Sequence, residues 1–354
     1  MTLSEHQLHV LAIVERSASV LSIIGIATII GTFCFSRQFR NPIHRIIFIN
    51  AFYNLFDVTA TTISLSGPEA GNHSALCQFQ GFMMQMFPLA DVMWTLAMAI
   101  DVFLIVFYKY EGEDLRKLEI WYIGIITALV MIPATTFLFI HTKEKGPMYA
   151  SVTLWCSIAP KWVLFRIVFF YGPIWLMIFI IMVLYASVGF EILKQRHLLK
   201  SIGITLDTLS STNDAHFNEF HAAVASTPPP PAHLPNNNHE KDYTSSLQTP
   251  RLSPSDSLAL SRTPRHKSPV SFRQYVFMPL MFFVILLTVW VAPTTNRVCA
   301  LINPNFVSYP LLLAVGSTGS LRGFWNGVVF VTLGMKERKR QKRLKSSRRL
   351  GQIL

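Results

Sequence analysis

Five ionisable residues lie inside long apolar stretches of this 354-residue chain and are its first candidates for functional chemistry. They are Asp57, Asp91, Asp101, Arg166 and Arg322. A charged side chain at the centre of a bilayer costs roughly 3 kcal/mol or more unless it is paired or hydrated, so such residues usually serve a function. All eleven histidines lie outside the apolar stretches or at their ends, which argues against an intramembrane metal centre. The expected chemistry is therefore charge pairing and ligand binding, with no metal.

Seven long apolar stretches lie along the chain, and the five charged residues are inside them. A hydrocarbon core about 30 Å thick is crossed by about 20 residues of helix at 1.5 Å each. Segments such as 174–181 and 280–287 are apolar on every side, unlike a helix with one wet face. The stretches are 17–35, 46–65, 79–108, 120–140, 163–189, 275–295 and 307–333. They predict an all-α membrane protein, a bundle of seven transmembrane helices.

The composition excludes most soluble enzymes, and the distribution of charge gives the orientation. Hydrophobic residues make up 51% of the chain and charged residues 14%, which suits lipid better than water. Of the 31 Lys and Arg, the segments 36–45, 109–119, 190–274 and the tail after 333 hold 3, 3, 9 and 9. The positive-inside rule therefore predicts that the N-terminus is outside and the C-terminus inside. The net charge of +12 then reflects this sidedness, and no nucleic-acid partner is expected.

This orientation divides the chain into five parts. They are an extracellular N-terminus (1–16), spans one to five (17–189), a third cytoplasmic loop (190–272), spans six and seven (273–333) and a basic cytoplasmic tail (334–354). The third loop is rich in Ser, Thr and Pro and is predicted to be disordered. Its candidate proline-directed phosphorylation sites are Thr249, Ser253, Thr263 and Ser268. The alternative is that the loop is a passive tether.

Two features of the predicted exterior side agree with this orientation. Asn72 opens the chain's only Asn-x-Ser/Thr sequon and is a candidate glycosylation site. Cys77 and Cys156 both lie on the oxidising side, so we expect a disulfide between them that holds a loop over the mouth of the bundle. Cys299, near the outer end of span six, is an alternative partner for either cysteine. Cys34, at the cytoplasmic end of span one, is expected to be a thiol.

A seven-helix protein can be a pump, a transporter, a channel or a receptor. A retinal protein needs a lysine in the last span, and 307–333 contains none. Transporters often show duplicated halves and broken helices, and channels a polar stripe along a pore, but neither pattern is evident. A receptor, which works through a ligand-biased conformational equilibrium, remains. No cofactor and no enzymatic activity are expected, and a seven-span transporter or channel is the alternative.

Short motifs along the spans carry a family resemblance. They are Arg40-Asn41, Trp94-Thr95-Leu96, Trp155-Cys156, Phe165-Arg166, Tyr171-Gly172-Pro173, Trp290, Asn296-Arg297 and Gly323-Phe324-Trp325. In order and spacing they resemble the cyclic-AMP-receptor-like class (class E) of G-protein-coupled receptors, known from slime moulds and fungi, over residues 17–333. Span three ends without an acid-Arg-aromatic triplet, and span seven lacks Asn-Pro-x-x-Tyr, both unlike rhodopsin-like receptors.

The resemblance implies a multi-pass plasma-membrane receptor. Such a receptor detects an extracellular small molecule and activates a heterotrimeric G protein on its cytoplasmic face, feeding cyclic-AMP-type signalling. The alternative is a receptor that acts through other partners docked on the third cytoplasmic loop. The sequence leaves a homodimer open.

The candidate ligand site lies in the outer halves of spans three, five and six. Arg166 and Arg297 match family positions and, with Lys161, would present guanidinium forks and an ammonium to an anionic ligand. The alternative for Arg166 is that it extends into the lipid headgroups. Asp91 and Trp94 share a helix face at i and i+3, so we expect Asp91 to line the pocket and to pair with Arg166. The candidate ligand-binding residues are Asp91, Trp94, Arg166, Trp290 and Arg297.

Three deeper charges form a candidate switch network. Asp57 and Asp101 are expected to pair with Arg322 or with water, and to change partners on activation. The alternative is a static polar network that only stabilises the bundle.

The tail carries nine Lys and Arg against one acidic residue. At about 1 kcal/mol for each basic residue near an anionic leaflet, it is expected to bind anionic lipid headgroups, as a short helix. An acidic protein surface, such as that of a G protein, is the alternative partner.

Overall fold

The computed structural model describes residues 3–36, 39, 42–195, 272–303 and 306–350. The predicted disorder of the third cytoplasmic loop and its four candidate phosphorylation sites, Thr249, Ser253, Thr263 and Ser268, lie outside these residues. Besides a single helical turn, Ser66–Glu69, the described helices are α1 (Glu5–Phe35), α2 (Pro42–Ile63), α3 (Ala75–Tyr108), α4 (Gly112–Phe139), α5 (Pro160–Gln195), α6 (Phe272–Ile302), α7 (Tyr309–Ser320) and α8 (Arg322–Leu350). Within the described part of the chain, α1 to α6 are long and apolar enough to cross a membrane.

The first helix begins earlier than the apolar stretch 17–35. Ser4 caps it, because its hydroxyl accepts from the backbone N–H of Gln7 at 3.2 Å while the Gln7 side chain accepts from the N–H of Ser4 at 3.1 Å. Three further turns of helix therefore precede the predicted start of span one. Their buried side chains include Leu11, and they pack on the exterior side of the bundle.

The seventh predicted span, 307–333, is divided between two helices. α7 ends at Ser320 and α8 begins at Arg322, with a turn at Leu321. The Ser22 hydroxyl on α1 lies at this break, where it donates to the Ser320 carbonyl and accepts from the Phe324 N–H at 3.2 Å. α1 thus satisfies backbone groups that the break leaves unpaired.

α3 lies at the centre of the bundle and contacts α2, α4 and α6. Its 34 residues include fully buried Trp94 and Met98, which belong to the main hydrophobic core. α1 packs against α2, α7 and α8 on the other side.

The exterior loop between α4 and α5 folds into two short antiparallel ladders. β1 (His141–Thr142) pairs with β2 (Gly146–Pro147), and β3 (Tyr149–Val152) pairs with β4 (Trp155–Ile158). We call β3 and β4 the exterior hairpin. A disulfide joins Cys156 on β4 to Cys77 in the first turn of α3, which confirms the predicted pairing, while Cys34 and Cys299 are thiols.

Tyr149 anchors the exterior hairpin on α3 and α4. Its ring packs against Gly81, where a Cβ atom would lie 2.6 Å from the ring. Its hydroxyl donates to the Ala134 carbonyl at 2.9 Å. Burial raises the pKa of this phenol above its ordinary value, so it stays neutral and remains a donor.

The contact between α1 and α8 depends on glycines. A Cβ at Gly25 would lie 2.6 Å from the Phe324 Cα, and a Cβ at Gly327 would lie 2.7 Å from the Gly25 carbonyl oxygen. Small residues allow two membrane helices to approach this closely. Gly31 is also on α1, but a Cβ atom built there would have no neighbouring atom within 4 Å.

We expect Gly25→Ala to destabilise the bundle, because the added methyl meets backbone that cannot yield without separating α1 from α8. Overpacking of this kind costs about 1–3 kcal/mol. Gly31→Ala makes the same chemical change in open space and should be neutral or slightly stabilising, since Ala favours helix over Gly by about 1 kcal/mol. Melting temperatures of the detergent-purified variants measure both, and equal values would contradict the close packing.

Candidate functional site

A buried arginine joins two aspartates at the break in span seven. Arg322 Nη1 lies 3.2 Å from Asp57 Oδ2 on α2 and 3.4 Å from Asp91 Oδ2 on α3. All three side chains are at least nine-tenths buried. We call Asp57, Asp91 and Arg322 the ion triad. With both carboxylates ionised it would carry a net charge of −1.

Further polar side chains on α2 and α3 surround the ion triad. Asn50 Nδ2 donates to Asp91 Oδ1 at 2.9 Å, and the Thr95 hydroxyl donates to the Asp91 carbonyl at 3.0 Å. Asn50, Asn54 and Asp57 follow one another at i, i+4 and i+7, so they share one face of α2. Burial raises the cost of holding charge inside the bundle, and hydrogen bonds from polar neighbours offset part of that cost.

Asp91 and Asp101 have partners in the structure other than Arg166 and Arg322, respectively. Asp91 pairs with Arg322 and not with Arg166, because Arg322 enters the bundle at the break in span seven while Arg166 lies in the first turns of α5. Asp101 does not pair with Arg322 either. It accepts from the Tyr122 hydroxyl on α4 at 3.0 Å, closer to the cytoplasmic end of α3. Of the two aspartates considered for Arg322, the structure places Asp57 against it.

A cavity of about 100 Å³ lies against the ion triad. Its wall is mostly apolar and aromatic, as is typical of small-molecule sites. Its polar lining comes from Asp57, Thr61, Ser320 and Arg322, and its aromatic lining from Trp155, Phe170, Tyr171 and Trp290. The volume is below the ~150 Å³ of a cavity that holds one benzene molecule, so this conformation accommodates only a small group.

The predicted ligand-binding residues differ in their relation to this cavity. Trp290 lines it directly. Asp91 is not among the lining residues and pairs with one of them, Arg322. The aspartate that lines the cavity is Asp57. Trp94 is also away from the lining, fully buried against the Tyr53 ring at a centroid distance of 5.6 Å.

The two predicted arginines lie behind one wall of the cavity. The Arg297 guanidinium stacks over the ring of Tyr171, a lining residue, at 5.0 Å from the ring centre. Arg166 is 5% exposed and interacts electrostatically with Tyr171 and Arg297. Its burial places its guanidinium within the protein and not in the headgroups. Among the described residues, no carboxylate lies within 4.0 Å of either arginine.

Comparison with known proteins identifies the family. The model of the slime mold cyclic AMP receptor family matches residues 2–201, more than half of the chain. This chain belongs to the slime mold cyclic AMP receptor family.

A curated relative and a solved structure agree with this assignment. Cyclic AMP receptor 4 of Dictyostelium discoideum is 31% identical over 160 residues, which cover 44% of this chain and 34% of that receptor. The chain thus spans about a third of the length of that relative. Squid rhodopsin matches the fold with a TM-score of 0.53 over 95% of this chain and 82% of its own, at 13% identity. The likeness shows that this receptor-family chain has the seven-helix fold of G-protein-coupled receptors.

Another buried acid, outside the ion triad, holds Trp155, which lines the cavity. Glu15 on α1 is fully buried and accepts from the Ser64 hydroxyl and from Trp155 Nε1. Its neighbour Arg16 donates to the Ser66 hydroxyl at 2.9 Å. Sequence reasoning missed Glu15 because it precedes the apolar stretch 17–35. The signal that could have found it is the adjacent acid and base, Glu15 and Arg16, directly before that stretch.

A third polar cluster lies towards the cytoplasmic ends of α2, α3 and α4. Arg45 on α2 forms an ion pair with Glu119 on α4, whose side chain is 3% exposed. Asp101 and Tyr122 lie beside this pair. Sequence reasoning assigned Glu119 to the loop 109–119, because six charged residues and one tyrosine lie between positions 109 and 118 and hide the start of α4 at Gly112.

We expect Arg322→Gln to destabilise the folded chain strongly, because it leaves two buried carboxylates without a counter-charge. Breaking a buried ion pair in this way costs about 3–5 kcal/mol. Adding Asp57→Asn should restore part of the loss by removing one of the uncompensated charges. Melting temperature and folded yield in detergent measure both effects.

The matched control for this prediction is Lys117→Gln. Lys117 also pairs with an acid, Asp114 at 3.5 Å, but its side chain is 80% exposed, so little change is expected. A stable Arg322→Gln variant, or further loss when Asp57→Asn is added, would refute the structural role of the ion triad.

Proposed function

We propose that this chain is a plasma-membrane G-protein-coupled receptor. It binds an extracellular small molecule in the cavity beneath Trp155 and activates a heterotrimeric G protein at its cytoplasmic face. The observation that carries the proposal is the position of Arg322, which lines the cavity and is also the first residue of α8. A ligand that contacts Arg322 therefore acts directly on the inner half of span seven.

The arginines behind Tyr171 support an anionic ligand. Arg166 and Arg297 offer two guanidiniums without a nearby carboxylate in the described structure, and guanidinium forks match phosphate and carboxylate groups. The aromatic lining suits a planar apolar body. Cyclic AMP combines both features, and the name of the Dictyostelium relative makes it the first ligand to test. A nucleotide is larger than the cavity, so its binding would require the walls to move apart.

The ion triad supports a switch by exchange of partners. Arg322 lies within ion-pair distance of both Asp57 and Asp91, and only Asp57 also lines the cavity. A ligand group that bonds to Asp57 would shift Arg322 towards Asp91 without leaving it unpaired. Asp101 belongs to the separate inner cluster with Tyr122, so any part that it plays in switching passes through α4.

The basic tail supports contact with the inner leaflet. α8 continues without a break from span seven to Leu350. Its exposed basic residues include Lys336, Arg338, Lys339, Lys342 and Arg343. Their charge complements anionic lipid headgroups at the cytoplasmic surface.

Nucleotide exchange on a co-reconstituted Gα subunit, with and without cyclic AMP, tests the proposal. We expect cyclic AMP to accelerate exchange. Arg166→Gln and Arg297→Gln should each raise the concentration required about tenfold, since losing a charged hydrogen bond costs about 1.5 kcal/mol or more. Lys143→Gln, an exposed change on the exterior side, is the matched control. Solute flux without exchange would instead indicate a transporter or channel.

Removal of residues 205–268 separates the two modes of receptor signalling. If the helical bundle alone engages the G protein, the shortened receptor should keep cyclic-AMP-stimulated exchange within about twofold of the parent, a change of less than 0.5 kcal/mol. Loss of signalling with normal surface expression would show that the third loop carries the essential partner.

A further inference from the structure

The exterior hairpin is held by a side chain of the turn that precedes α3. Asn72 Oδ1 accepts from the backbone N–H of Ser151 on β3 at 2.9 Å. Ser151 is opposite Cys156 in the ladder, and the Cys156 N–H donates to Gln80 Oε1 at 2.8 Å. The backbone N–H groups of Ser151 and Cys156 thus both bond to acceptors outside the hairpin. This is expected at a non-hydrogen-bonded residue pair of an antiparallel ladder.

This contact determines the orientation of the Asn72 carboxamide. A backbone N–H can only donate, so the atom that faces Ser151 must be the amide oxygen. The amide nitrogen, Nδ2, then points away from β3. The side chain is exposed, and no described residue accepts a hydrogen bond from Nδ2.

The sequon around Asn72 is accessible and well placed relative to the bilayer. Gly71 begins the turn with a φ of +91°, and Ser74 caps α3 by accepting from the Cys77 N–H at 3.1 Å. The 34 residues of α3 span about 51 Å, against a hydrocarbon core of about 30 Å. Gln78, near the start of α3, donates to the Tyr149 carbonyl of the exterior hairpin at 2.9 Å, so this end of the helix extends into the exterior loop region. Asn72 precedes the first residue of α3 by three positions, on the same side.

We propose that Asn72 carries an N-linked glycan on Nδ2 while its Oδ1 holds the exterior hairpin. The donor is an oligosaccharide linked to a lipid pyrophosphate. The bond from Nδ2 to the anomeric carbon forms, the bond from that carbon to the pyrophosphate oxygen breaks, and Nδ2 loses one proton. The product keeps its carbonyl oxygen, so the hydrogen bond to Ser151 survives the modification.

The first experiment tests the glycan. The full chain is expressed in eukaryotic cells, and its electrophoretic mobility is compared before and after digestion with peptide N-glycosidase. We expect the parent and Ser74→Thr, which keeps the sequon, to shift on digestion, and Asn72→Asp not to shift. An unshifted parent, or a shift that persists in Asn72→Asp, would overturn the proposal. The result is independent of ligand binding and of G-protein activation.

The second experiment tests the anchor in two variants that both lack the glycan. Asn72→Asp keeps an oxygen acceptor for the Ser151 N–H, whereas Asn72→Ala removes it. We expect hydrogen exchange of the β3 amides to be at least several-fold faster in Asn72→Ala than in Asn72→Asp, which should resemble the digested parent. Ser151→Ala keeps the backbone donor and is the control. Equal exchange in the two variants at position 72 would exclude the anchoring role.

Discussion

The bundle is organised around a guanidinium that two carboxylates share inside the membrane. Arg322 bonds to α2 through Asp57 and to α3 through Asp91, and its own helix begins at that residue. A charge in this position must stay paired, since an uncompensated ion in a low-dielectric interior costs several kcal/mol. The three helices are therefore constrained in depth and rotation by one residue. The break at Leu321 then has a reason, because it lets span seven turn this side chain inwards.

The exterior side is preorganised by contacts of a different kind. The Cys77–Cys156 disulfide, the Gln80 amide and the Asn72 amide hold the exterior hairpin, while buried Glu15 holds Trp155 over the cavity. The hydrogen bonds among these contacts satisfy donors of the exterior hairpin that have no acceptor within the hairpin: two backbone N–H groups and the Trp155 indole N–H. The exterior hairpin is thus attached to α1, to α3 and to the connection between α2 and α3. A ligand that displaces Trp155 must disturb the contact with Glu15.

The sequence predicts the spans well and the partners of buried charges poorly. Length and hydropathy located the helices, since a bilayer demands about 20 apolar residues whatever the neighbours are. The cysteines could be paired because only a few lie on the oxidising side. The partner of Asp91 could not be found, because helical periodicity gives the face of a residue and not the rotation and depth of its helix in the bundle. Glu15 and Glu119 were missed because charges near the ends of apolar stretches resemble ordinary loop charges.

The charge balance of the ion triad is compatible with the proposed switch, whereas a simple ion pair would oppose it. One guanidinium between two carboxylates has two acceptors of similar strength, at 3.2 and 3.4 Å, so moving from one to the other does not expose an unpaired cation. An isolated pair would have to break completely, at a cost of several kcal/mol, before its helix could move. Asp57 is in contact with the cavity and Asp91 is not, so the two acceptors are unequal in their access to a ligand. In the proposed switch, binding energy would bias the equilibrium through one carboxylate while the other keeps the arginine within the bundle.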